Sequence, residues 1–264
     1  MNRSSIVGMA CLSLLTSGLG SGAWAQTAGY DWYLVVPVIA QTGSYQSFIY
    51  VHNPATQAVE LQVGYNGGTG SATPGATNCP SLPVPANTSV SASLTDICPS
   101  LAAGANFGAL RFWGAQAGVY TRVQTPTGNG FSVEGLKETF PSCSNSVFTV
   151  LGLIRQAAPP TFQSNCFLWN RETRAARVVV TLARGDGTLI ADDIVELAGD
   201  EFLRMLDVFA AVGAPAGDYA NARASFESIV PIGGGSPVNV LTFCTVQNNT
   251  SFDADFRIGK CQQW

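Results

Sequence analysis

Side chains able to move protons, attack a substrate or hold a metal are sparse in this chain. His52 is its single histidine, and a serine triad built on it needs a nucleophile elbow, yet no G-x-S-x-G occurs. On an alternating strand Ile49 and Val51 face one way and His52 the other, so the imidazole is expected in solvent. Glycoside hydrolysis needs two carboxylates that meet in space. Glu60, Glu134, Glu138, Asp96 and Glu196 form a pool for such a pair, but no spacing singles one out. Asp192-Asp193 with Glu196, and Asp253-x-Asp255, come nearest to a calcium site, since that ion takes hard oxygen ligands. Neither has EF-hand spacing, and adjacent acids on a strand point to opposite faces, so a solvated edge is the simpler reading. Lysine occurs only at Lys137 and Lys260, which disfavours Schiff-base chemistry. Arg171, Arg174, Arg177 and Arg184 form a positive stripe suited to an anionic sugar or partner, or to solubilising a sheet face beside Asp186, Asp192 and Asp193. No cofactor and no metal are expected.

The better ligand candidates are aromatic. Tyr50, Tyr65, Trp113, Tyr120 and Trp169, several at outward strand positions, offer a platform for sugar rings or for the apolar surface of a partner protein. Burial between two domains is the competing explanation for the same residues.

The elements that must position these groups are strands. Runs rich in Val, Ile, Thr, Phe and Tyr, with apolar residues at period two, occupy 32–40, 46–53, 59–65, 89–94, 108–113 and 118–125 in the first half. The second half repeats the rhythm at 148–155, 163–170, 177–184, 188–197, 201–206, 219–226 and 238–247. The stretch 67–85, rich in Gly, Ser, Thr and Pro, reads as a long loop, either a place where function is added or a tolerated surface insertion stapled by a disulfide, and 137–145 reads as a linker.

The chain opens Met1-Asn2-Arg3, continues through an apolar run and reaches Ala23-Trp24-Ala25-Gln26. That is the pattern of a secretory signal peptide cleaved after Ala25. Its apolar core of about 10 residues is too short for a membrane span, which needs ~20. Cys11 falls inside the leader. Cys79, Cys98, Cys143, Cys166, Cys244 and Cys261 remain, an even set without any C-x-x-C, which reads as structural disulfides of an exported, periplasmic or extracellular protein. Six cysteines allow about 15 connectivities. Cys79 and Cys98 bracket the Pro-rich stretch and are the best-defined pair.

The whole chain of 264 residues has only 11 % charged residues against 46 % hydrophobic, with 28 Gly and 14 Pro. That balance excludes disorder and coiled coil. Removing Arg3 with the leader leaves 13 − 1 = 12 basic against 17 acidic residues, a net charge near −5. Nucleic acid is therefore not an expected partner.

An internal repeat organises the strands. Asn53, Thr56 and Ala58 answer Asn170, Thr173 and Ala175 at an offset of 117, and Tyr120-Thr-Arg-Val-Gln answers Phe243-Cys-Thr-Val-Gln at 123. The shared Asn is a turn signal at a strand end, not a catalytic one. Val36-Pro37-Val38-Ile39-Ala40, followed by Ile49-Tyr50-Val51-His52-Asn53-Pro54, resembles the tandem immunoglobulin-like or fibronectin-III-like β-sandwich modules of exported bacterial proteins, mostly of uncharacterised function. The second copy departs from that pattern, with Arg171 where Pro is usual.

The resemblance implies an all-β fold of two tandem immunoglobulin-like β-sandwich domains after a cleaved signal peptide: leader 1–25, domain 26–136, linker 137–145 and domain 146–264. It brings no catalytic residues. Aligning the copies places Cys166 and Cys244 on inward faces, on strands able to belong to opposite sheets, similar to the intersheet bridge of immunoglobulin domains. Cys143 and Cys261 then flank the second copy. The function expected is an exported non-catalytic binding or structural module that recognises a carbohydrate or protein partner through strand faces and loops. Two alternatives stand beside it: a secreted hydrolase with carboxylates at the domain interface, and a subunit of an envelope or fibre assembly that pairs by edge strands.

Overall fold

The computed structural model describes residues 31–137, 147–159, 161–229 and 234–262. The expected leader, Cys143, Glu138 and all of the expected linker except Lys137 lie outside the described residues.

What is described is nearly all β and antiparallel. The first half contains β1 (Asp31–Gln41), β2 (Gln46–Asn53), β3 (Val59–Gly67), β4 (Gly75–Val84) and β5 (Thr88–Ser93). A one-turn helix α1 (Leu94–Ile97), the long β6 (Asn106–Gln124), β7 (Gly130–Glu134) and β8 (Leu136–Lys137) complete it. The second half contains β9 (Val147–Arg155), β10 (Phe162–Asn170), β11 (Ala176–Ala183), β12 (Leu189–Leu197) and β13 (Phe202–Met205). After them come α2 (Val208–Ala211), β14 (Tyr219–Ile229), β15 (Val240–Asn248), β16 (Ala254–Ile258) and β17 (Lys260–Gln262).

The two strands expected at 108–113 and 118–125 are one continuous β6 that serves two layers. Its first part pairs with β3 and β1, its last part with β2 and β7. Between them Gly114, Ala115 and Gln116 oppose Trp32 alone as a bulge, and Gly114 has φ +100°, open to glycine at little cost. The bulge lets one strand turn the corner of a sandwich. One layer therefore runs β4-β3-β6-β1-β8 and the other β5-β2-β6-β7. The second half has the sheets β12-β11-β14-β9-β17 and β13-β10-β15-β16, the same order of strands with β14 and β15 in place of the two parts of β6.

Local bonds recur with the strand order. Asn53 is buried; its Nδ2 donates to the carbonyls of Gln57 (2.8 Å) and Val84 (3.1 Å), and its Oδ1 accepts from the Ala55 amide. Asn170 does the same with Arg174 (2.6 Å), Ala198 (2.8 Å) and Glu172. Buried Ser47 exchanges hydrogen bonds with both backbone groups of Ala40, as buried Ser164 does with Ile154. Each side chain ties a strand end to the facing layer, because a buried amide or hydroxyl needs partners.

Three apolar interiors separate the layers. Leu34, Ile49, Leu61 and Phe112 fill the interior of the first half, and Phe148, Leu168, Val180 and Phe226 fill that of the second. The third lies between the halves: Val35, Val38, Phe107 and Ala109 of β1 and β6 pack on Phe167, Trp169, Phe202 and Phe243. The sheet β13-β10-β15-β16 is thus buried on both faces, and the two halves of the chain pack on one another there.

Polar bonds seal that junction. Arg111 pairs with Asp200 at 2.8 Å and lies 4.6 Å over the Trp169 ring, and Asn66 donates to the Asp200 carbonyl. Gly68 marks the closest approach: a Cβ there would fall 2.4 Å from the Phe107 ring and 2.9 Å from Phe202.

The stretch 67–85 is no long loop. Residues 75–84 form β4, with a counterpart in β12, and Pro80 and Pro83 sit on an edge strand that needs few outward amide donors. Cys79 and Cys98 are bonded, as are Cys166 and Cys244. The second bridge does not cross between sheets, as the alignment with immunoglobulin domains implied. Cys166 and Cys244 are register partners on adjacent strands of one sheet, with Cα atoms 4.0 Å apart. Cys261 is also disulfide-bonded, and its expected partner lies outside the described residues.

Candidate functional site

The outer face of β5-β2-β6-β7 brings Tyr50 and Tyr120 together. They are register partners, as are Ser91 with Tyr50 and Tyr120 with Glu134, so one row crosses four strands. The next row holds Ser89, His52 and Gly118. Strand alternation turns Ile49, Val51 and Val119 into the core and leaves the two tyrosines at 43 % and 41 % exposure. Their ring centroids are 5.8 Å apart with planes tilted by 54°. Gly118, lacking a side chain opposite His52, helps leave a shallow groove of about 200 Å³ bounded by both tyrosines, His52 and Glu134. His52 Nδ1 lies 3.0 Å from Ser89 Oγ. The arrangement supplies aromatic faces, hydroxyls, an imidazole and one carboxylate at a wetted surface.

Trp113 belongs to a different layer. It is half-buried, stacked on Tyr33 at 6.2 Å, and shares a cleft of about 210 Å³ with Asn66, Asn78 and Arg111. A Cβ on Gly64 would come within 3.1 Å of the indole, so glycine lets the ring lie flat on β3.

Tyr65 and Trp169, expected on a ligand face, are buried at 1 % and 0 % exposure. Tyr65 alternates with Leu61 and Val63 into the first core, and its hydroxyl donates to the Phe107 carbonyl at 2.9 Å. Burial raises its pKa, against the opposing hydrogen bonds of Ser71 and Phe107. Trp169 does point away from the second core, but the first half covers that side.

The polar candidates are engaged structurally. Glu60 accepts from the Ser81 hydroxyl, and Glu196 pairs with Arg177. Asp96 caps α1, where hydrogen bonds from Ser93 hold its carboxyl below the usual range. Arg174 pairs with Glu172, and Arg184 lies over the Tyr219 ring at 5.3 Å, so the arginine stripe is not one free positive row. Asp192 and Asp193 lie exposed on the edge strand β12, and Asp255 pairs with Arg257. No group of three or more His, Cys, Asp or Glu able to hold a metal ion occurs among the described residues. No helix among them is long and apolar enough to cross a membrane.

The partnership of Tyr50 with Ser91, Tyr120 and Glu134 is set by strand register, which carries no local signal. The alternation of Tyr50 and His52 against Ile49 and Val51 was the part of it visible in sequence.

No protein-family model and no curated protein matches the chain. Among solved structures it is similar to a β-glucuronidase of Bacteroides uniformis, with 15 % identity over 86 % of this chain and 26 % of that one, at a TM-score of 0.16. A calcium-binding mutant of Bacteroides uniformis β-glucuronidase 2 matches at 14 % identity with the same coverages and a TM-score of 0.15. The chain spans about a quarter of the length of those enzymes, 26 % in each comparison, and scores at this level mark no shared arrangement of the whole chain.

Proposed function

We propose that this chain is an exported, non-catalytic binding protein of two copied β-sandwich modules of immunoglobulin-like type, and that it takes a carbohydrate on the outer face of β5-β2-β6-β7. The observation that carries the reading is the exposed Tyr50–Tyr120 pair flanked by His52 and Glu134. Two tilted rings with hydroxyl, imidazole and carboxylate groups around them match the apolar faces and equatorial hydroxyls of a sugar. Disulfides in both halves fit an oxidising compartment. Against a hydrolase, the described residues lining the clefts with Trp113, with the tyrosine pair and between the halves include one carboxylate, Glu134. Against assembly by edge pairing, the edge strand β12 carries Asp192, Asp193 and Glu196, charges that oppose strand addition.

The test uses residues 26–264 made in an oxidising compartment, a glycan array, and the variants Tyr50→Ala and Tyr120→Ala with Trp32→Ala as control. Selective glycan binding lost in both tyrosine variants and kept in the control is expected. A blank array for the folded protein, with a partner captured through the same two tyrosines, would move the reading from sugar to protein.

A further inference from the structure

The third interior, apolar where Trp169 and Phe202 lie, changes character at its other end and opens into a cleft of about 340 Å³ between the halves. The first half lines it with Val38, Phe107, Val123 and Phe131 from β1, β6 and β7, and with Thr42, Ser44 and Tyr45 of the loop after β1. The second half contributes polar Asn165 of β10, Arg204 of β13 and Thr245 of β15, on adjacent strands, with Phe167 and Leu206 beside them. Asn165 and Thr245 are register partners, and Arg204 is paired in register with Phe167, two residues along β10 from Asn165.

These groups are short of partners. The Arg204 guanidinium lies 3.8 Å over the Phe107 ring, yet it makes no ion pair and donates no hydrogen bond to another described residue. The two nearest carboxylates in sequence are taken elsewhere: Glu201 accepts from the Thr69 hydroxyl and the Ala198 amide, and Asp207 pairs with Arg155 at 3.2 Å. Asn165 is 7 % exposed, and its Oδ1 accepts from the Asp207 amide and from Gln163, which fixes the side chain so that Nδ2 is left as a donor. Thr245, 3 % exposed, adds a hydroxyl without a described acceptor. Partial burial of Arg204 lowers its pKa. Nearly buried donors around an unpaired cation call for an anion, and a planar fork of N–H groups suits a carboxylate.

We propose that the cleft binds a small organic acid, its carboxylate on Arg204, Asn165 and Thr245 and its apolar body against Val38, Phe107, Val123 and Phe131. Only its Val123 and Phe131 belong to the layer that carries Tyr50 and Tyr120, on the opposite side from those tyrosines, and the site stands independently of the glycan reading. The volume suits a ligand of the size of a substituted benzoate.

The test is calorimetric titration of the full mature chain with benzoate and octanoate, with benzyl alcohol as the neutral isostere and galacturonate as a carboxylate with a polar body. Benzoate or octanoate should bind at least tenfold tighter than benzyl alcohol and galacturonate. Arg204→Gln should weaken the acid at least tenfold while leaving benzyl alcohol unchanged. Should Arg204→Gln fail to fold, Thr245→Val, which keeps the side-chain shape, should weaken the acid several-fold. Equal affinity for acid and alcohol, tighter binding of galacturonate, insensitivity to these substitutions, or no binding of either acid by the folded protein overturns the assignment.

Discussion

Trp169→Ala separates a ligand-face tryptophan from a core one. The indole is fully buried between the halves, 6.4 Å from the Phe202 ring and under the Arg111 guanidinium at 4.6 Å. Truncating a buried Trp costs about 3–5 kcal/mol, because the lost transfer energy is joined by a cavity. The loss of the cation–π contact is partly offset, since Arg111 keeps Asp200. A loss of about 4 kcal/mol with a urea slope of ~2 kcal/mol/M moves the unfolding midpoint down by roughly 2 M. Far-UV circular dichroism on the disulfide-intact protein reads this without relying on the indole. Trp32→Ala, at a site 65 % exposed, should stay within ~0.5 kcal/mol of the parent. Trp169→Phe should cost much less than the alanine change: the indole Nε1 is buried without a hydrogen-bond partner among the described residues, so the phenyl ring relieves an unsatisfied donor while filling most of the space. A Trp169→Ala protein that unfolds within ~1 kcal/mol of the parent would refute the packing of the halves described above.

Three further outcomes follow from named contacts. Gly68→Ala places a methyl group against the Phe107 and Phe202 rings and should cost about 1–3 kcal/mol by calorimetry, relieved in part by adding Phe107→Leu. Replacing Cys166 and Cys244 together by Ala releases a cross-link across 78 residues of separation and should lower stability by roughly 4 kcal/mol on the chain-entropy account, measured by urea unfolding. Glu172 is held below the usual carboxylate range, first by the Asn239 amide and then by Arg174. A depressed folded pKa gives stability that is present above the unfolded value of about 4.3 and fades as pH falls through the folded one. Melting temperatures of Glu172→Gln should therefore fall less steeply than the parent's below about pH 4.5.

Strand positions and the buried asparagine turns were legible because they rest on local rules: period-two alternation, and Asn at a strand end. The facing of Trp169 was not. Its run Cys166-Phe167-Leu168-Trp169 is apolar at every position, the mark of a strand covered on both faces, whereas a sandwich assumption assigns alternate residues to solvent. Val240-Leu241 and Phe243-Cys244 carry the same signal on β15. Tyr65 was readable, since Leu61, Val63 and Tyr65 share one parity with the core side. The strand β4 was hidden by Pro80, Pro83 and small polar residues, which an edge tolerates and a propensity rule reads as loop. The cleft around Arg204 depends on how the halves dock, and no stretch of sequence records that.

The docking itself gives the tyrosine face its meaning. Counting back from the matched Asn53 and Asn170, Tyr50 corresponds to Phe167 and His52 to Trp169, and the second repeat match sets Tyr120 against Phe243. In the second half this face of the sheet is buried against β1 and β6; in the first half it is exposed. The same position in the fold thus carries Phe, Trp and Phe where it is permanently covered and Tyr, His and Tyr where it meets water. Each exchange keeps a ring, the two Phe-to-Tyr differences add a hydroxyl and Trp gives way to the smaller, more polar His, and the neighbouring pair partner changes from Ile258 of β16 to Glu134 of β7. A face kept aromatic but made wettable can meet a ligand and release it, because its rings supply contact area while its hydroxyls and charge remain solvated when it is empty. A permanent protein interface would favour the apolar set already present in the second half. That contrast within one chain is the strongest reason to test the tyrosine face with soluble, hydroxyl-rich ligands first.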